Sequence, residues 1–191
     1  MKAKEAILSR RSCRKYEEKD IPKEIIEDIV LAGRSAPTGL NRQQIKFYII
    51  ANNVKKIQEI GRKVYENRIK AGKLGGWMEE AKKTMGVTDP IFYDAPCIIA
   101  LVGDKSPMGI QVHMTDAGIA CQNIINMATN YGLGTVPIGI ANFLNQEAVL
   151  EGIGADKDKE DLLLVISIGY PHENWRQFVQ TKELKSFVKY I

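Results

Sequence analysis

Apolar residues along this chain follow two patterns, one typical of amphipathic helices and one typical of buried strands. The predicted helices are Ala3–Ser9, residues 22–33 with an apolar face of Ile25, Ile26, Ile29 and Val30, the segment of Val54, Ile57, Ile60 and Val64, and residues 112–131. The predicted strands are residues 45–51, residues 97–102, a short strand through Thr135 and Val136, and residues 162–168. Their irregular alternation predicts a three-layer α+β or α/β domain, and the order alone leaves the sheet topology open.

One stretch of the chain fits neither pattern. Residues 70–88 lose their periodicity and are rich in Gly, Lys and Glu, so we expect a mobile excursion or lid there. Trp77, Met78 and Met85 within it either cover a substrate pocket or pack the segment onto the surface.

Length, composition and charge narrow the class of protein. The 191 residues are 45% hydrophobic, enough for the core of one globular domain, and we expect residues 1–191 to form a single domain. The 27 basic and 23 acidic residues are spread along the chain, so we predict no nucleic-acid partner. No segment approaches the roughly 20 apolar residues of a membrane helix, and the first residues lack the apolar stretch of a signal peptide. We therefore expect a cytoplasmic protein without a membrane partner.

Cysteines and histidines provide no recognisable catalytic or metal-binding pattern. Cys13, Cys97 and Cys121 lie far apart, without a CxxC pair or the spacing of a zinc site, and we expect reduced thiols and no metal. His113 and His172 are also distant from each other and complete no Ser-His-Asp set, so neither is assigned a role.

A cluster of arginines follows the first predicted helix. Arg10, Arg11, Ser12 and Arg14 concentrate three guanidiniums and a hydroxyl within five residues. Guanidiniums make bidentate, charge-assisted hydrogen bonds to phosphate, and a serine hydroxyl can complete such a site. The alternative is a solvated basic stretch favoured by the dipole at the helix C-terminus, and the residues alone leave both interpretations open.

A polar turn precedes the first predicted strand. Pro37, Thr38, Asn41 and Gln43 lie within seven residues. Asparagine and glutamine each offer a donor and an acceptor, which is what a flavin pyrimidine edge or ribityl chain requires. The alternative is ordinary turn chemistry, which explains Pro37 and Gly39 more easily than it explains the two amides.

The residues that follow the long predicted helix and the short strand after it favour particular backbone conformations. Gly132 is placed for a left-handed C-cap, and Leu133 can supply the apolar contact that accompanies it. Pro137, Ile138 and Gly139 follow the short strand, where glycine permits close approach by a ligand and an irregular strand edge is the alternative.

Taken together, five motifs in order over nearly the entire chain make it similar to the FMN-dependent nitroreductase family. They are Arg10-Arg11-Ser12-x-Arg14, Ala36-Pro37-Thr38-x-x-Asn41-x-Gln43, the helix from Asp116-x-Gly118 to Gly132-Leu133-Gly134, Pro137-Ile138-Gly139, and Gly169-Tyr170-Pro171. The resemblance implies an α+β, three-layer nitroreductase-like fold with a central, mainly antiparallel sheet flanked by helices. It also implies an intertwined homodimer with FMN bound between the subunits.

The same resemblance implies roles for the arginine cluster. Arg10, Arg11 and Ser12 would hold the FMN phosphate, and Arg14 would lie near the N1/O2 edge of the flavin. Two-electron reduction leaves negative charge at that edge, which a fixed cation stabilises, so Arg14 is expected to tune the flavin electrostatically. No catalytic side-chain nucleophile is then needed.

Two further segments acquire roles by the resemblance. Pro37, Thr38 and Asn41 would be the contribution of the partner subunit to the cofactor site. Pro137 and the backbone amides around Ile138 and Gly139 would face the central ring of the flavin.

Departures from the family pattern occur in two places. The family commonly has Gln-Pro-Trp where this chain has Gln43-Gln44-Ile45, so packing beneath that loop is expected to differ. A C-terminal arginine usually contacts the phosphate; Thr181 occupies the aligned position, and we expect Lys182 to substitute for it, with Arg176 as the other candidate. Asp116 either faces the cofactor or serves as a structural cap or pair inside the dimer.

The expected activity is that of an oxidoreductase. NADH or NADPH would reduce FMN, and the electrons would pass to a nitroaromatic, a quinone or a similar electrophile by a ping-pong mechanism. The absence of a Gly-x-Gly-x-x-Gly helix start agrees with a nicotinamide that only visits the flavin. The alternatives are a specialised flavin reaction such as dehalogenation or enone reduction, a non-catalytic flavin-binding redox sensor, and a plain anion-binding module.

Overall fold

The computed structural model describes residues 2–72, 76–105, 110–139, 146–179 and 188–189. Its α-helices are α1 (Ala3–Ser9), α2 (Lys23–Arg34), α3 (Val54–Lys70), α4 (Trp77–Met85), α5 (Ile110–Asn130) and α6 (Gln146–Ile153). Its strands are β1 (Lys46–Ala51), β2 (Cys97–Asp104), β3 (Gly134–Pro137) and β4 (Glu160–Gly169). Short 3-10 turns lie at Gly39–Asn41 and Trp175–Phe178.

The four strands form one antiparallel sheet in the order β1-β2-β4-β3. In this sheet β2 pairs with β1 on one side and with β4 on the other, and Ile99 lies opposite both Ile49 and Ile166. Every residue of β2 except its last is buried. This pattern is the physical reason for the continuous apolar run, because a strand with both faces covered needs no polar positions.

Helices cover both faces of this sheet and give three layers. Ile98 and Ala100 belong to the core on one face, where α3 and α6 pack against each other and contact the strands. Ile99 and Leu101 belong to the core on the other face, where α2 and α5 pack together and α5 contacts β4 and β3. The expected α+β, three-layer fold with a mainly antiparallel sheet is confirmed.

The region at residues 70–88 differs from the sequence prediction. Instead of an irregular excursion, the chain forms α4, in which Met78 is fully buried and Met85 packs against the same core. Acidic residues in the first turn and lysines in the last turn complement the helix dipole, and Gly86 ends the helix at a φ of 65°. The helix escaped prediction because few apolar residues mark its buried side. Nothing is described of the Trp77 side chain, and its role stays a prediction.

The C-terminus of α5 directs the chain into the region of the arginine cluster. Gly132 has a φ of 73°, and the Leu133 amide donates to the Ala128 carbonyl at 2.9 Å. This is the hydrogen bond of a Schellman motif, and Leu133 is buried as the apolar partner. The predicted cap is confirmed, and it leads directly into β3.

Candidate functional site

The arginine segment lies along the outer edge of β3. Ser12 forms a parallel bridge with Thr135, and the Cys13 amide donates to the Thr135 carbonyl at 2.9 Å. The structure therefore brings together two segments that are more than 120 residues apart in sequence.

Close packing beneath this segment fixes its position. Cys13 is fully buried, and a Cβ atom added at Gly134 would lie 2.6 Å from its Cβ and 2.7 Å from its Sγ. Only glycine at position 134 lets the two backbones approach this closely. Burial raises the pKa of the Cys13 thiol to about 11, so it stays protonated at neutral pH and its role is packing.

Arg10 and Arg11 have different environments. The Arg11 Nη1 donates to the carbonyls of Leu8 and Arg10, at 2.8 Å each, and so caps the C-terminus of α1. Arg10 is half-buried, and burial lowers its pKa, with further lowering by the Arg11 charge and an opposite effect of Cys121. Two neighbouring guanidiniums thus repel each other at the start of the segment, a condition that an anion relieves.

Arg14 has a partner that the sequence analysis did not identify. Its guanidinium lies near Tyr93, whose pKa is raised by burial and lowered by the Arg14 charge. Tyr93 has a φ of 60° and Asp94 a φ of 52°, which are left-handed conformations that non-glycine residues adopt at a cost. No sequence pattern marks this contact, because the two residues are far apart in sequence and the tyrosine stands in an irregular turn.

Two carboxylates hold the turn that carries Tyr93. Asp89 accepts from the amides of Ile91 and Phe92 at 2.8 and 3.2 Å. Asp94 accepts from the amides of Thr88 and Asp89 at 2.6 and 2.9 Å. Burial, together with a smaller effect of the Asp94 charge, raises the pKa of Asp89 to about 7 despite the two amide hydrogen bonds, which lower it.

The segment after β3 is partly hydrogen-bonded to the sheet. The Ile138 amide donates to the Val165 carbonyl at 2.7 Å, and Ile138 is buried. This amide therefore already has a partner in the sheet, and the expectation that the backbone around Ile138 and Gly139 faces the flavin stays a prediction. Gly139, the next residue, is partly exposed and keeps its predicted role as a candidate.

The polar turn forms an unusual loop over α5. Leu40, Asn41 and Gln43 have φ values of 55°, 53° and 51°. Inside the loop, the Asn41 amide donates to the Thr38 carbonyl at 2.9 Å and the Gln43 amide to the Thr38 hydroxyl at 3.0 Å. Pro37 comes directly before Thr38, which accepts both of these hydrogen bonds.

Asp116 on α5 accepts hydrogen bonds from this loop. The Gly39 amide lies 3.2 Å from both carboxylate oxygens, and the Gln44 Nε2 lies 2.5 Å from Oδ2. Of the two alternatives for Asp116, the structural pair is thus present within the chain. A cleft of about 360 Å³ opens beside the loop, lined by Thr38 and Gln43 among others.

The C-terminal candidates are only partly described. Thr181 and Lys182 lie outside the described residues, so the proposed contact of Lys182 with a phosphate stays a prediction. Arg176 is exposed, and its guanidinium stacks 5.0 Å from the centre of the Trp175 ring.

His113 packs closely against β2. His113 is buried, and a Cβ atom at Gly103 would lie 2.5 Å from its Nδ1. Over the described ranges, we find no group of three or more His, Cys, Asp or Glu residues that could hold a metal ion. In the same ranges, every helix is too short or too polar to cross a membrane.

Comparisons with known proteins agree with this arrangement. The family model described as "Nitroreductase family" matches residues 7–170. A curated protein of Methanothermobacter thermautotrophicus, named "Putative NADH dehydrogenase/NAD(P)H nitroreductase", is 28% identical over 171 residues, which is 89% of this chain and 78% of that protein. An "Iodotyrosine dehalogenase 1 homolog" of Caenorhabditis elegans is 23% identical over 183 residues, and the chain spans only 55% of its length.

A solved structure reproduces the whole fold. The nitroreductase with bound FMN from Bacteroides fragilis superposes with a TM-score of 0.79 at 22% identity, covering 100% of this chain and 98% of that one. The three layers, the antiparallel sheet and the segment along β3 therefore belong to a known architecture.

Proposed function

Because this chain belongs to the nitroreductase family, we propose that it is an FMN-dependent oxidoreductase that uses NADH or NADPH to reduce electrophilic acceptors such as nitroaromatics or quinones. The observation that carries the proposal is the arginine segment docked along β3, where Ser12 bridges Thr135 and the Cys13 amide donates to the Thr135 carbonyl. The name of the archaeal relative and the FMN in the Bacteroides fragilis structure support the choice of donor and cofactor.

The start of the arginine segment fits a phosphate group. Arg10 and Arg11 repel each other, and Ser12 adds a hydroxyl beside them. A phosphate carries up to two negative charges and accepts charge-assisted hydrogen bonds from guanidiniums, so its binding would turn this repulsion into attraction. We assign the phosphate of FMN to these residues, with Lys182 as a further candidate.

The loop over α5 fits the polar edge of a flavin. Gln44 Oε1 is buried without a hydrogen-bond partner among the described residues. A buried acceptor of this kind is costly unless a ligand or a partner chain supplies a donor, and the flavin pyrimidine edge carries an N–H group. Thr38, Asn41 and Pro37 lie in the same loop and share the proposed role.

When bound, FMN would supply two-electron transfer between a nicotinamide and the acceptor. The chain itself supplies electrostatics and position. Arg14 follows the two residues that dock on β3, and its positive charge lies near Tyr93. A fixed cation stabilises negative charge that develops next to it, without any reorganisation at the moment of reaction. Arg14 is thus the proposed electrostatic tuner, and no side chain acts as a nucleophile.

The proposed site needs two copies of the chain. The loop is anchored at Asp116 of α5 and the arginine segment at β3, and we propose that each complete site combines the loop of one subunit with the arginines of the other. Large apolar side chains on α1, α2 and the loop support a homodimer, since Leu8, Leu31 and Leu40 are 61%, 58% and 86% exposed. Within this dimer each subunit would be a single domain of residues 1–191.

A second candidate function is reductive dehalogenation of a halogenated phenol. It is favoured by the similarity to the iodotyrosine dehalogenase homolog, whose match covers 89% of this chain. The two functions share the cofactor and differ in the acceptor. NADH and NADPH oxidation, measured with a nitroaromatic, a quinone and iodotyrosine in parallel, discriminates between them, and failure with every acceptor would favour a flavin-binding sensor.

The cofactor assignment is tested by removing one guanidinium. We expect Arg10→Ala to raise the dissociation constant for FMN at least about tenfold, because it removes a charge-assisted hydrogen bond to phosphate. Fluorescence titration of the FMN-free protein measures this constant. Arg62→Ala removes an exposed arginine of α3 and serves as the matched control, which should bind FMN like the wild type. Equal affinity of the two variants would contradict the phosphate assignment.

A further inference from the structure

One buried carboxylate contacts both ends of the polar loop. Asp116 is 4% exposed, and its oxygens accept from the Gly39 amide at 3.2 Å and from the Gln44 side chain at 2.5 Å. These two contacts bracket the four residues between them. A buried carboxylate is stabilised by such donors, and the donors are fixed in return.

The bracketed residues include a concentration of backbone strain. Leu40, Asn41 and Gln43 are all in the left-handed region although none is glycine. A residue with a Cβ atom adopts this conformation at a cost in free energy, and the conformation persists only where its surroundings over-determine it. Leu40 is 86% exposed, so packing of its side chain does not hold the loop in place. The contacts with Asp116 anchor this loop to α5.

From these contacts we infer that Asp116 is a positioning residue that holds the loop of residues 39–44 in the conformation that binds the cofactor. The inference rests on the proposed function, because it assigns the loop to the FMN site. The hydrogen bonds that Asp116 accepts from described residues all come from this loop, so its proposed role is positioning and not catalysis.

The same carboxylate fixes the orientation of the Gln44 amide. A carboxylate oxygen only accepts hydrogen bonds, so the Gln44 Nε2 must face Asp116 and the Oε1 must point elsewhere. That Oε1 is the buried atom without a partner among the described residues. Asp116 therefore does two things, since it anchors the strained loop and leaves an acceptor free for a donor outside the described chain.

Hydrogen exchange of the loop amides tests this inference without the cofactor. Four of these amides are bonded in the structure, namely those of Gly39, Asn41, Arg42 and Gln43. In the FMN-free protein, Asp116→Ala should make them exchange at least about tenfold faster, because the loss of two charge-assisted hydrogen bonds releases the loop. Amides in the second half of α5 should keep their wild-type rates.

Two further variants make the test specific. Asp116→Asn keeps one acceptor oxygen for the Gly39 amide, so its loop exchange should lie between wild type and Asp116→Ala. Asp158→Ala removes an exposed carboxylate from the turn before β4 and should change neither loop exchange nor FMN affinity. The dissociation constant for FMN should rise in the order wild type, Asp116→Asn, Asp116→Ala, by at least about tenfold for the last.

Each outcome decides between the inference and its alternatives. Wild-type exchange of the loop in Asp116→Ala overturns the positioning role, as does a uniform acceleration over α5 and the sheet, which would show a general structural role. If Asp116→Ala does not fold, the same two criteria apply to Asp116→Asn. A wild-type protein that binds no FMN contradicts the proposed function instead. In that case, faster loop exchange in the variants would still show that Asp116 anchors the loop.

Discussion

The burial of Asp89 predicts an unusual dependence of stability on pH. Its carboxylate is 3% exposed and packs so closely on α3 that a Cβ atom at Gly61 would lie 2.3 Å from both oxygens. Burial, with a smaller contribution from the neighbouring Asp94 charge, raises its pKa from 3.8 to about 7. The turn that Asp89 holds carries Tyr93, the partner of Arg14, so the protonation state of Asp89 bears on the candidate site.

The sign and size of the effect follow from proton linkage. Between the two pKa values the native state binds a proton at Asp89 that the unfolded state has lost, so the free energy of unfolding falls as pH rises. The contribution is fully present below about pH 4 and is lost as pH rises through about 7. Between about pH 5 and about pH 8 the loss from this one group is about 3 kcal/mol.

Urea unfolding of the FMN-free protein at a series of pH values, followed by tryptophan fluorescence, measures this slope. Asp89→Asn has no titratable group at this position, and the asparagine oxygen can accept one of the two backbone hydrogen bonds. The substitution therefore lowers the free energy of unfolding by an amount that does not change with pH. We expect the stability of Asp89→Asn relative to wild type to increase by about 3 kcal/mol over this range. A difference that stays constant with pH would show that native Asp89 is ionised throughout, and would refute the burial argument.

Three other changes test the packing and electrostatics of the site. Gly134→Ala would place a Cβ atom 2.6 Å from the Cβ of Cys13. The melting temperature should therefore fall by at least several degrees, and FMN should bind more weakly. A wild-type melting temperature and a wild-type FMN affinity would contradict the close packing of the arginine segment. The three buried cysteines have pKa values raised to about 11 for Cys13 and about 12 for the other two. A thiol reagent at neutral pH should therefore label none of them until urea unfolds the chain, and rapid labelling of the folded protein would count against their burial. Arg14→Ala should lower the reduction potential of bound FMN, and Tyr93→Phe should lower it in the same direction by less, since it only frees the arginine; a potentiometric titration that finds both unchanged would remove the electrostatic role.

Elements whose signal is local were predictable from the sequence. The continuous apolar run of β2 and the Gly132-Leu133 cap of α5 depend on neighbouring residues, and the structure has both. The helix α6 was not predicted, although Ala148, Val149 and Leu150 are buried, because three consecutive apolar residues do not show helical periodicity.

Contacts between distant segments could not be predicted in the same way. The docking of the arginine segment on β3 depends on the missing side chain of Gly134, and the conformation of the loop depends on Asp116, more than 70 residues away. The pairing of Arg14 with Tyr93 depends on an irregular turn held by two carboxylates. Such contacts follow from the three-dimensional fold, and no local pattern of residues marks them.

The central claim is that the arginine segment and the loop bind FMN for electron transfer from a nicotinamide. The most direct measurement is the absorption spectrum of the purified protein, before and after FMN is added and the excess removed, followed by anaerobic addition of NADH or NADPH. We predict flavin bands that persist after removal of excess FMN and bleach when one of the two donors is added. Protein that retains no flavin would contradict the assignment of the cofactor site, and retained flavin that neither donor bleaches would contradict the proposed oxidoreductase activity.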